Sequence, residues 1–243
     1  PPYAERHVRW CERSVNTKAG DKHLQLVFTS YSILYRTSRC HFSIAYSLCL
    51  IYFLNFVADK IIAMIEQILE FNRRFVADKC YERFATNKYP DKKIAIVTCM
   101  DTRLIELLPA ALGFKNGDVK IIKNAGATIT NPFDSTMRSL LVAVYELGVN
   151  EIMIIGHTGC GVQGMDADEM LELMRRRGIS EEHISLMEHC GIDLRSWLHG
   201  FEDTDAAVAE TVDLVKKHPL MPDGVSVAGY VMDSYTGELR QIG

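Results

Sequence analysis

The sequence predicts an α/β protein with a mostly parallel central β-sheet flanked by helices, a C-terminal edge hairpin and an N-terminal extension of uncertain structure. From residue 92 onwards, short apolar runs alternate with stretches of helical periodicity. This alternation is typical of βαβ units and a parallel sheet. The 243 residues, of which 48% are hydrophobic, supply enough apolar side chains for a sizeable core. A disordered chain and a small disulfide-stapled scaffold are therefore excluded.

The predicted elements follow one another in a regular order. Buried strands are predicted at residues 93–98, 119–122 and 151–155. Helices are predicted at residues 104–112, 135–147, 166–177 and 206–217. In the second of these helices, the side chains expected to face inward are Leu140, Leu141, Val144 and Tyr145. Residues 225–232 and 238–242 are expected to end the chain as an edge hairpin around a turn that contains Gly237.

The charge distribution divides the chain near residue 63. Residues 1–63 carry eight Lys or Arg and four Asp or Glu, whereas the whole chain has a net charge of −4. An apolar stripe with helical spacing begins at Met64 and continues to about Lys79. We therefore predict an N-terminal extension over residues 1–63 and a separate folded domain over residues 64–243, which contains the motifs described below. The overall negative charge predicts no nucleic-acid-binding surface.

Residues 40–58 form a run of 19 uncharged residues within the extension. This length meets the requirement for a membrane-spanning helix, although Ser43, Ser47 and Asn55 dilute the run and no cleavage site marks it as a removable signal. Three interpretations of the extension stay open: it is disordered, it is not native to the protein, or it is associated with a membrane. Membrane contact is expected only if residues 40–58 are a genuine anchor.

Three potential metal ligands follow two of the predicted strands. Cys99 comes after the first strand, and His157 and Cys160 come after the third, in the glycine-rich segment GHTGCG. The carboxyl ends of parallel strands meet at one edge of a sheet, where open α/β folds place their ligand sites. Two thiolates and one imidazole form a three-ligand zinc set that leaves the fourth position open, as catalytic zinc sites do. The sequence therefore predicts Zn²⁺ as a cofactor.

An acidic and a basic residue follow Cys99 at a spacing that suits catalysis. In the segment Cys99-Met100-Asp101-Thr102-Arg103, a carboxylate stands two residues after the thiol and a guanidinium two residues later. An Asp held by the fork of an Arg would stay ionised and orient a water molecule on the metal. The alternative is that Asp101 caps a helix while Arg103 is exposed. Both roles can coexist in one residue.

The combination of C-x-D-x-R, NAGATIT and GHTGCG resembles the β-class carbonic anhydrases, particularly their short prokaryotic type. The resemblance extends from about Met64 to Gly243 and implies zinc bound by Cys99, His157 and Cys160, with Asp101 and Arg103 as the catalytic pair. It implies reversible hydration of carbon dioxide to bicarbonate and a proton, by attack of zinc-bound hydroxide. It also implies a homodimer or a higher homo-oligomer in which the N-terminal helix packs against a neighbouring subunit.

The resemblance also indicates a substrate side of the site. Asn124, Ala125 and Gly126 stand where the family has its loop after the second parallel strand, and small residues there would let backbone amides approach a bound anion. Gly159 stands where many relatives carry Asp, so it is expected to affect the shape of the pocket.

Two other functions remain open at this point. Carbonyl sulfide and carbon disulfide hydrolases resemble the same family, and a zinc-binding homologue without turnover is a further alternative. Thiolate ligands and seven cysteines without an evident pairing pattern favour a reducing compartment, so a cytoplasmic protein is expected. The proton shuttle is not identified, and four histidines are expected at the surface: His183, His189, His199 and His218.

Overall fold

The computed structural model describes residues 64–242, so the predicted extension and the uncharged run at residues 40–58 lie outside the described residues. The described residues belong to two compact units, residues 64–80 and residues 81–242. Within residues 64–242, no helix combines the length and the apolar character that crossing a bilayer requires.

The first unit contains a helix, α1, described over residues 64–77. It begins within the predicted stripe and ends at residue 77. The predicted end is Lys79, two residues later, which adopts a positive φ of 54°. The apolar side chains of α1 are largely exposed: Ile65 is 52% exposed, Ile68 62% and Val76 53%. This helix therefore carries an exposed apolar stripe.

The second unit is built on a five-stranded sheet with the order β2-β1-β3-β4-β5. The strands span Ile94–Cys99 (β1), Val119–Asn124 (β2), Glu151–His157 (β3), Ser226–Met232 (β4) and Leu239–Ile242 (β5). The first four strands are parallel, and β5 pairs with β4 in the antiparallel direction. The predicted fold class, with its C-terminal edge hairpin, is therefore confirmed.

Two of the strands are longer than the sequence predicts. The β2 strand continues through Asn124, which pairs with Cys99, and β3 continues through His157, which pairs with Met232. The apolar run of each strand stops earlier, but a parallel ladder continues as long as its neighbour offers backbone partners. This extension places His157 on the last position of β3 rather than in the following loop.

The described part of the second unit contains a short 3-10 helix, Glu82–Phe84, and six α-helices. The α-helices span Leu104–Ala111 (α2), Ser135–Tyr145 (α3), Ala167–Arg176 (α4), Glu181–His189 (α5), Leu194–Leu198 (α6) and Thr204–Lys217 (α7). Helices α5 and α6 are not predicted from the sequence, because they are short and the glycines before each of them interrupt the periodicity. Five of the helices begin with a side chain that accepts a hydrogen bond from a first-turn amide, and these capping residues are Asp134, Asp166, Ser180, Asp193 and Asp203.

The helices cover both faces of the sheet. Side chains of α3 and α7 pack with Ala95 and Val97 of β1 on one face, whereas Leu104 and Leu108 of α2 pack with Ile96 on the other face. Burial on both faces explains why β1 is a continuous apolar run, since alternate residues point in opposite directions. Burying each such aliphatic side chain contributes about 1.5–3 kcal/mol.

The prediction is wrong for one of the four side chains of α3 that are expected to face inward. Tyr145 is the last residue of α3, it is 63% exposed, and its hydroxyl donates a hydrogen bond to the carbonyl of Leu220. Leu140 on the same helix is fully buried, as predicted. The rigid sheet thus holds the carboxyl ends of β1, β3 and β4 side by side, and we refer to this end of the sheet as the carboxyl edge.

Candidate metal centre

The carboxyl edge brings the three predicted ligand residues together. Cys99 is the last residue of β1, His157 is the last residue of the neighbouring β3, and Cys160 lies three residues further on. One ligand atom from each of these residues lies within 4.8 Å of the others, and all three residues are buried. Within residues 64–242, this is the one group of three or more His, Cys, Asp or Glu side chains that could hold a metal ion.

The distance between the two sulfur atoms suits zinc. Cys99 Sγ and Cys160 Sγ are 3.8 Å apart. Two thiolates about 2.3 Å from a tetrahedral zinc ion would be separated by about 3.8 Å. The sulfur pair therefore has the spacing of zinc ligands rather than that of a disulfide, whose sulfur atoms lie about 2.05 Å apart.

His157 presents one ring nitrogen to this cluster. Its Nδ1 lies 3.0 Å from the carbonyl oxygen of Thr158, so Nδ1 carries the proton and donates it to that oxygen. The other nitrogen, Nε2, is buried, and no hydrogen-bond partner for it exists among the described residues. An orphaned buried acceptor is costly, and a metal ion between Nε2 and the two thiols would satisfy it.

The pKa values of the two cysteines also favour a metal ion at this cluster. Burial acts to raise the pKa of Cys99, but the His157 ring, when both of its nitrogens carry a proton, and the backbone amides of Gly126 and Asp101 overcome it and lower the pKa to about 7. Burial and the nearby Cys99 thiolate raise the pKa of Cys160. Without a cation, the site thus supports one thiolate readily and resists the second. A dipositive ion would remove this conflict, because thiolate is the form that binds metal.

Asp101 and Arg103 form a bidentate ion pair beside the ligands. Arg103 Nε donates to Asp101 Oδ1 over 2.9 Å, and Arg103 Nη2 donates to Asp101 Oδ2 over 2.8 Å. Asp101 Oδ2 also lies 3.9 Å from His157 Nε2. The hydrogen bonds from Arg103 hold the pKa of Asp101 well below its usual range. The carboxylate is therefore ionised at neutral pH and acts as a hydrogen-bond acceptor next to the cluster.

Both roles considered for this pair coexist: Asp101 Oδ1 accepts a hydrogen bond from the Arg103 amide over 2.9 Å at the start of α2, and the side chain of Arg103 is 41% exposed. The Arg103 guanidinium also contacts two further strand-end loops. Its Nη2 also donates to the carbonyl of Gly159 over 2.8 Å, and its Nη1 donates to Ser234 Oγ over 3.1 Å. The Ser234 hydroxyl lies 3.3 Å from Thr158 Oγ1. Sequence reasoning missed Ser234 and Thr158. The available signal was the position of Ser234 two residues after β4, a third strand that ends at the same edge.

The loop after β2 supports Cys99 from the other side. The Gly126 amide faces the Cys99 thiol, and Asn124 Nδ2 donates to the Thr128 carbonyl and to Thr136 Oγ1. Gly126 has a φ of +82°, and a Cβ at this position would lie 2.9 Å from the Phe201 ring. Glycine is therefore required here on two grounds. These contacts show a role in building the loop, and the substrate-side role of Asn124, Ala125 and Gly126 stays a prediction.

Gly159 also needs its backbone conformation, with a φ of +63° in the turn that leads from His157 to Cys160. A Cβ at Gly159 would lie 3.7 Å from Arg103 Nη1, which is an ordinary contact. Gly159 thus faces the guanidinium, and a larger residue at this position would reach the Arg103–Asp101 pair. The effect of Gly159 on the shape of the substrate pocket stays a prediction.

One of the four histidines expected at the surface is buried. His218 is 4% exposed, its Nε2 donates to the carbonyl of Pro132 over 2.9 Å, and its Nδ1 accepts from the amide of Leu220. Both ring nitrogens are occupied, so His218 fastens the loop before α3 and is not suited to shuttle protons. His183, His189 and His199 are exposed, as expected.

Comparisons with known proteins agree with this geometry. Residues 94–239 match the family model described as carbonic anhydrase. The chain is 49% identical over 180 residues to "Putative carbonic anhydrase YtiB" of Bacillus subtilis (strain 168), a match that covers 74% of this chain and 96% of that protein. The crystal structure of β-carbonic anhydrase isoform I from Trichomonas vaginalis superposes with a TM-score of 0.67 at 36% identity, covering 73% of this chain and 96% of that one.

The chain is also similar to a relative that is named for a different activity. The carbon disulfide hydrolase of Acidithiobacillus thiooxidans is 30% identical over 158 residues, which cover 62% of this chain and 77% of that protein. Both names fit a chain whose ligand cluster and adjoining carboxylate lie at the carboxyl edge of a parallel sheet.

Proposed function

The chain belongs to the β-carbonic anhydrase family, and from this premise we propose that it catalyses the zinc-dependent, reversible hydration of carbon dioxide to bicarbonate and a proton. The observation that carries this proposal is the buried cluster of Cys99, His157 and Cys160 with the ionised Asp101 carboxylate 3.9 Å from His157 Nε2. We assign the chemistry to residues 64–243, since the match to the family model lies within them.

Cys99, His157 and Cys160 are the residues that would hold zinc. Their sulfur spacing, their burial and the orphaned Nε2 of His157 suit this ion. When bound, zinc supplies Lewis acidity, which makes hydroxide available from water near neutral pH. The Thr158 carbonyl holds the proton on His157 Nδ1 and so keeps Nε2 free to act as a ligand.

Asp101 would orient the attacking oxygen. Its carboxylate is ionised because Arg103 holds it with two hydrogen bonds. An ionised carboxylate can only accept hydrogen bonds, so Asp101 would accept a hydrogen bond from the attacking hydroxide and leave an oxygen lone pair directed at the carbon of carbon dioxide. Bicarbonate carries a hydroxyl in that place and can use the same contact in the reverse direction.

Asn124, Ala125 and Gly126 are proposed to line the substrate side, together with Gly159. Met100 N donates to the Asn124 carbonyl over 2.8 Å, which keeps this loop against the segment that carries Cys99 and Asp101. Small side chains in this loop leave backbone amides accessible to an anionic product.

We also propose a homodimer or a higher homo-oligomer in a reducing, cytoplasmic compartment. The exposed apolar stripe of α1 is the surface that supports assembly, since a stripe of this kind on a helix is normally covered. The reducing compartment is supported by the need for thiolate ligands at Cys99 and Cys160.

The test is stopped-flow hydration of carbon dioxide by the full chain, with zinc per chain measured on the same sample. Fast turnover with about one zinc ion per chain is the expected result. Zinc without measurable hydration would contradict the proposed substrate, and protein that binds no zinc would contradict the site itself.

The second candidate function is hydrolysis of carbon disulfide or carbonyl sulfide at the same site. The similarity to a carbon disulfide hydrolase favours including it, although 49% identity to a relative named for carbonic anhydrase is higher. Release of hydrogen sulfide from either substrate, measured on the same preparation, separates the two. Sulfide release without hydration would favour the hydrolase, and the absence of both activities in zinc-loaded protein would favour a non-catalytic homologue.

A further inference from the structure

Arg103 meets more partners than an ion pair with Asp101 requires. The guanidinium has five N–H donors. Nε and one Nη2 hydrogen serve Asp101, the second Nη2 hydrogen serves the Gly159 carbonyl, and one Nη1 hydrogen serves Ser234 Oγ. Four of the five donors are thus used, and they join loops that follow β1, β3 and β4.

Ser234 holds the Nη1 end of the guanidinium, on the side that does not face Asp101. Two hydrogen bonds to Asp101 alone would let the Asp101–Arg103 pair swing together, because both side chains leave the same short segment after β1. The Gly159 carbonyl holds Nη2 from the loop after β3, and Ser234 adds the one contact to Nη1, from the loop after β4, so that both ends of the guanidinium are held. The side chain of Arg103 is 41% exposed, so nearby water would compete for Nη1 if the serine hydroxyl were absent.

The position of Ser234 does not depend on Arg103. Asp233 Oδ1 accepts hydrogen bonds from the amides of Tyr235 and Thr236 and from the Thr236 hydroxyl. The Asp233 amide donates to the Glu238 carbonyl over 2.8 Å. These contacts build the turn between β4 and β5 from its own residues, and Ser234 is 6% exposed within it.

Thr158 joins this turn to the loop that carries two of the ligand residues. Ser234 N donates to Thr158 Oγ1 over 3.0 Å, and the two hydroxyls lie 3.3 Å apart. Thr158 N in turn donates to the Met232 carbonyl. Because Thr158 Oγ1 accepts the Ser234 amide, its own hydrogen is available to the Ser234 hydroxyl, which leaves a Ser234 lone pair for Arg103.

We propose that Ser234, supported by Thr158, is a positioning residue that holds the Arg103 guanidinium in the plane in which it grips Asp101. This inference rests on the proposed function. The hydrogen bonds of Ser234 go to Arg103 and Thr158 and not to Cys99, His157 or Cys160. It acts through Arg103, and the hydroxyl rather than the bulk of the side chain carries the effect.

The test compares zinc-loaded S234A, S234T and wild-type protein, with S139A as the matched control. Ser139 lies on α3 and its hydroxyl donates to its own helix. We expect kcat/KM for hydration to fall about 5- to 10-fold in S234A, the equivalent of one modest hydrogen bond. S234T should return to within about 2-fold of wild type, and S139A should match wild type. Zinc content should stay constant throughout.

The second readout is independent of activity. In protein labelled with ¹⁵N at arginine, the side-chain NMR signals of Arg103 report how fast its Nη groups rotate. We expect slow rotation in wild type and S234T, and faster rotation in S234A. T158V, which keeps the size of the side chain and removes its hydroxyl, should show the same change and provides a second route if S234A folds poorly.

Three outcomes would overturn the proposal. These are unchanged Arg103 signals in S234A, unchanged kcat/KM in S234A, and a loss of activity that S234T does not restore. If wild type itself shows no hydration, the proposed function fails, and the NMR comparison still decides separately whether Ser234 holds Arg103.

Discussion

The carboxyl edge and the helical region of residues 167–198 are held together by different kinds of contact. At the carboxyl edge, side chains far apart in sequence meet, such as the buried Cys99 with Cys160, and Arg103 with Ser234, which is 131 residues away. In the helical region, α4, α5 and α6 enclose a small cluster of Leu171, Ile184 and Leu194. That region is bordered by exposed ion pairs between nearby residues.

This contrast indicates which region can carry out catalysis. A catalytic arrangement needs side chains whose rotamers are fixed by several independent elements, and the carboxyl edge has three strands that serve this purpose. The helical region has a satellite core and surface charges, which stabilise a fold but orient nothing precisely. Mutations at the carboxyl edge should therefore reduce catalysis, whereas mutations in the helical region should reduce local stability.

The largest effect is expected from removing one proposed ligand. C160S should lose most of its zinc and fall below detectable hydration, because a serine hydroxyl is a far weaker zinc ligand than a thiolate. Zinc per chain and stopped-flow hydration measure this change. C190S is the matched control, since Cys190 is exposed at the end of α5, and it should behave as wild type. A zinc-loaded, active C160S would remove Cys160 from the site.

The next largest effect is expected at Asp101. D101N should keep its zinc but slow hydration about 100-fold, since an amide can donate to the attacking oxygen as well as accept from it. Arg103 would also lose its charged partner. Parallel zinc analysis and stopped-flow kinetics test this expectation. Equal rates in D101N and wild type would show that the carboxylate has no part in the reaction.

A mutation in the core of the helical region should lower local stability and leave catalysis unchanged. I184A removes a side chain that is 4% exposed in the cluster of α4, α5 and α6, and it should lower the free energy of unfolding of that region by about 2–4 kcal/mol. Amide hydrogen exchange across residues 167–198 measures the loss, while kcat/KM should be unchanged. L186A serves as the control, since Leu186 is 50% exposed. A fall in hydration with I184A would mean that the two regions are coupled.

The smallest effect is expected from an exposed ion pair of the helical region. Arg175 Nε donates to Glu181 Oε2 over 2.8 Å and lowers the pKa of Glu181. A lowered pKa stabilises the fold only where the carboxyl is ionised, so the contribution is present at neutral pH and is lost as the pH falls through the pKa of folded Glu181. R175A should therefore shift the Tm slightly at pH 7 and not at all in acid. A shift that persists in acid would indicate lost packing rather than lost charge.

The sequence alone predicts the elements that depend on local pattern. Strand β1 is a continuous apolar run, and the strands β1, β3 and β4 are each followed within a few residues by polar side chains. Periodicity of this kind reflects burial on both faces of a sheet and needs no knowledge of distant residues. Helices α5 and α6 are not predicted, because each is short and has a single buried residue, Ile184 in α5 and Leu194 in α6.

The candidate site likewise contains features that the sequence predicts and features that only the structure shows. The motifs around Cys99 and His157 indicated the ligand residues and the Asp101–Arg103 pair, because in each motif the chemistry-bearing residues are within a few positions of one another. The sequence could not show that His218 is buried with both ring nitrogens paired, or that Tyr145 leaves the core at the end of α3. Each of these depends on a partner more than 70 residues away.

The amino-acid sequence alone predicts the fold class, the order of the five strands, four of the six α-helices of the second unit, and the residue types that suit a zinc centre. The tertiary structure alone decided that Cys99 and Cys160 stand at the spacing of zinc ligands, that His157 turns Nε2 towards them, and that Ser234 reaches Arg103. The physical reason is that hydrophobic periodicity is a local property, whereas a hydrogen bond requires two atoms within about 3 Å of each other. These atoms meet only because the sheet places the ends of β1, β3 and β4 side by side.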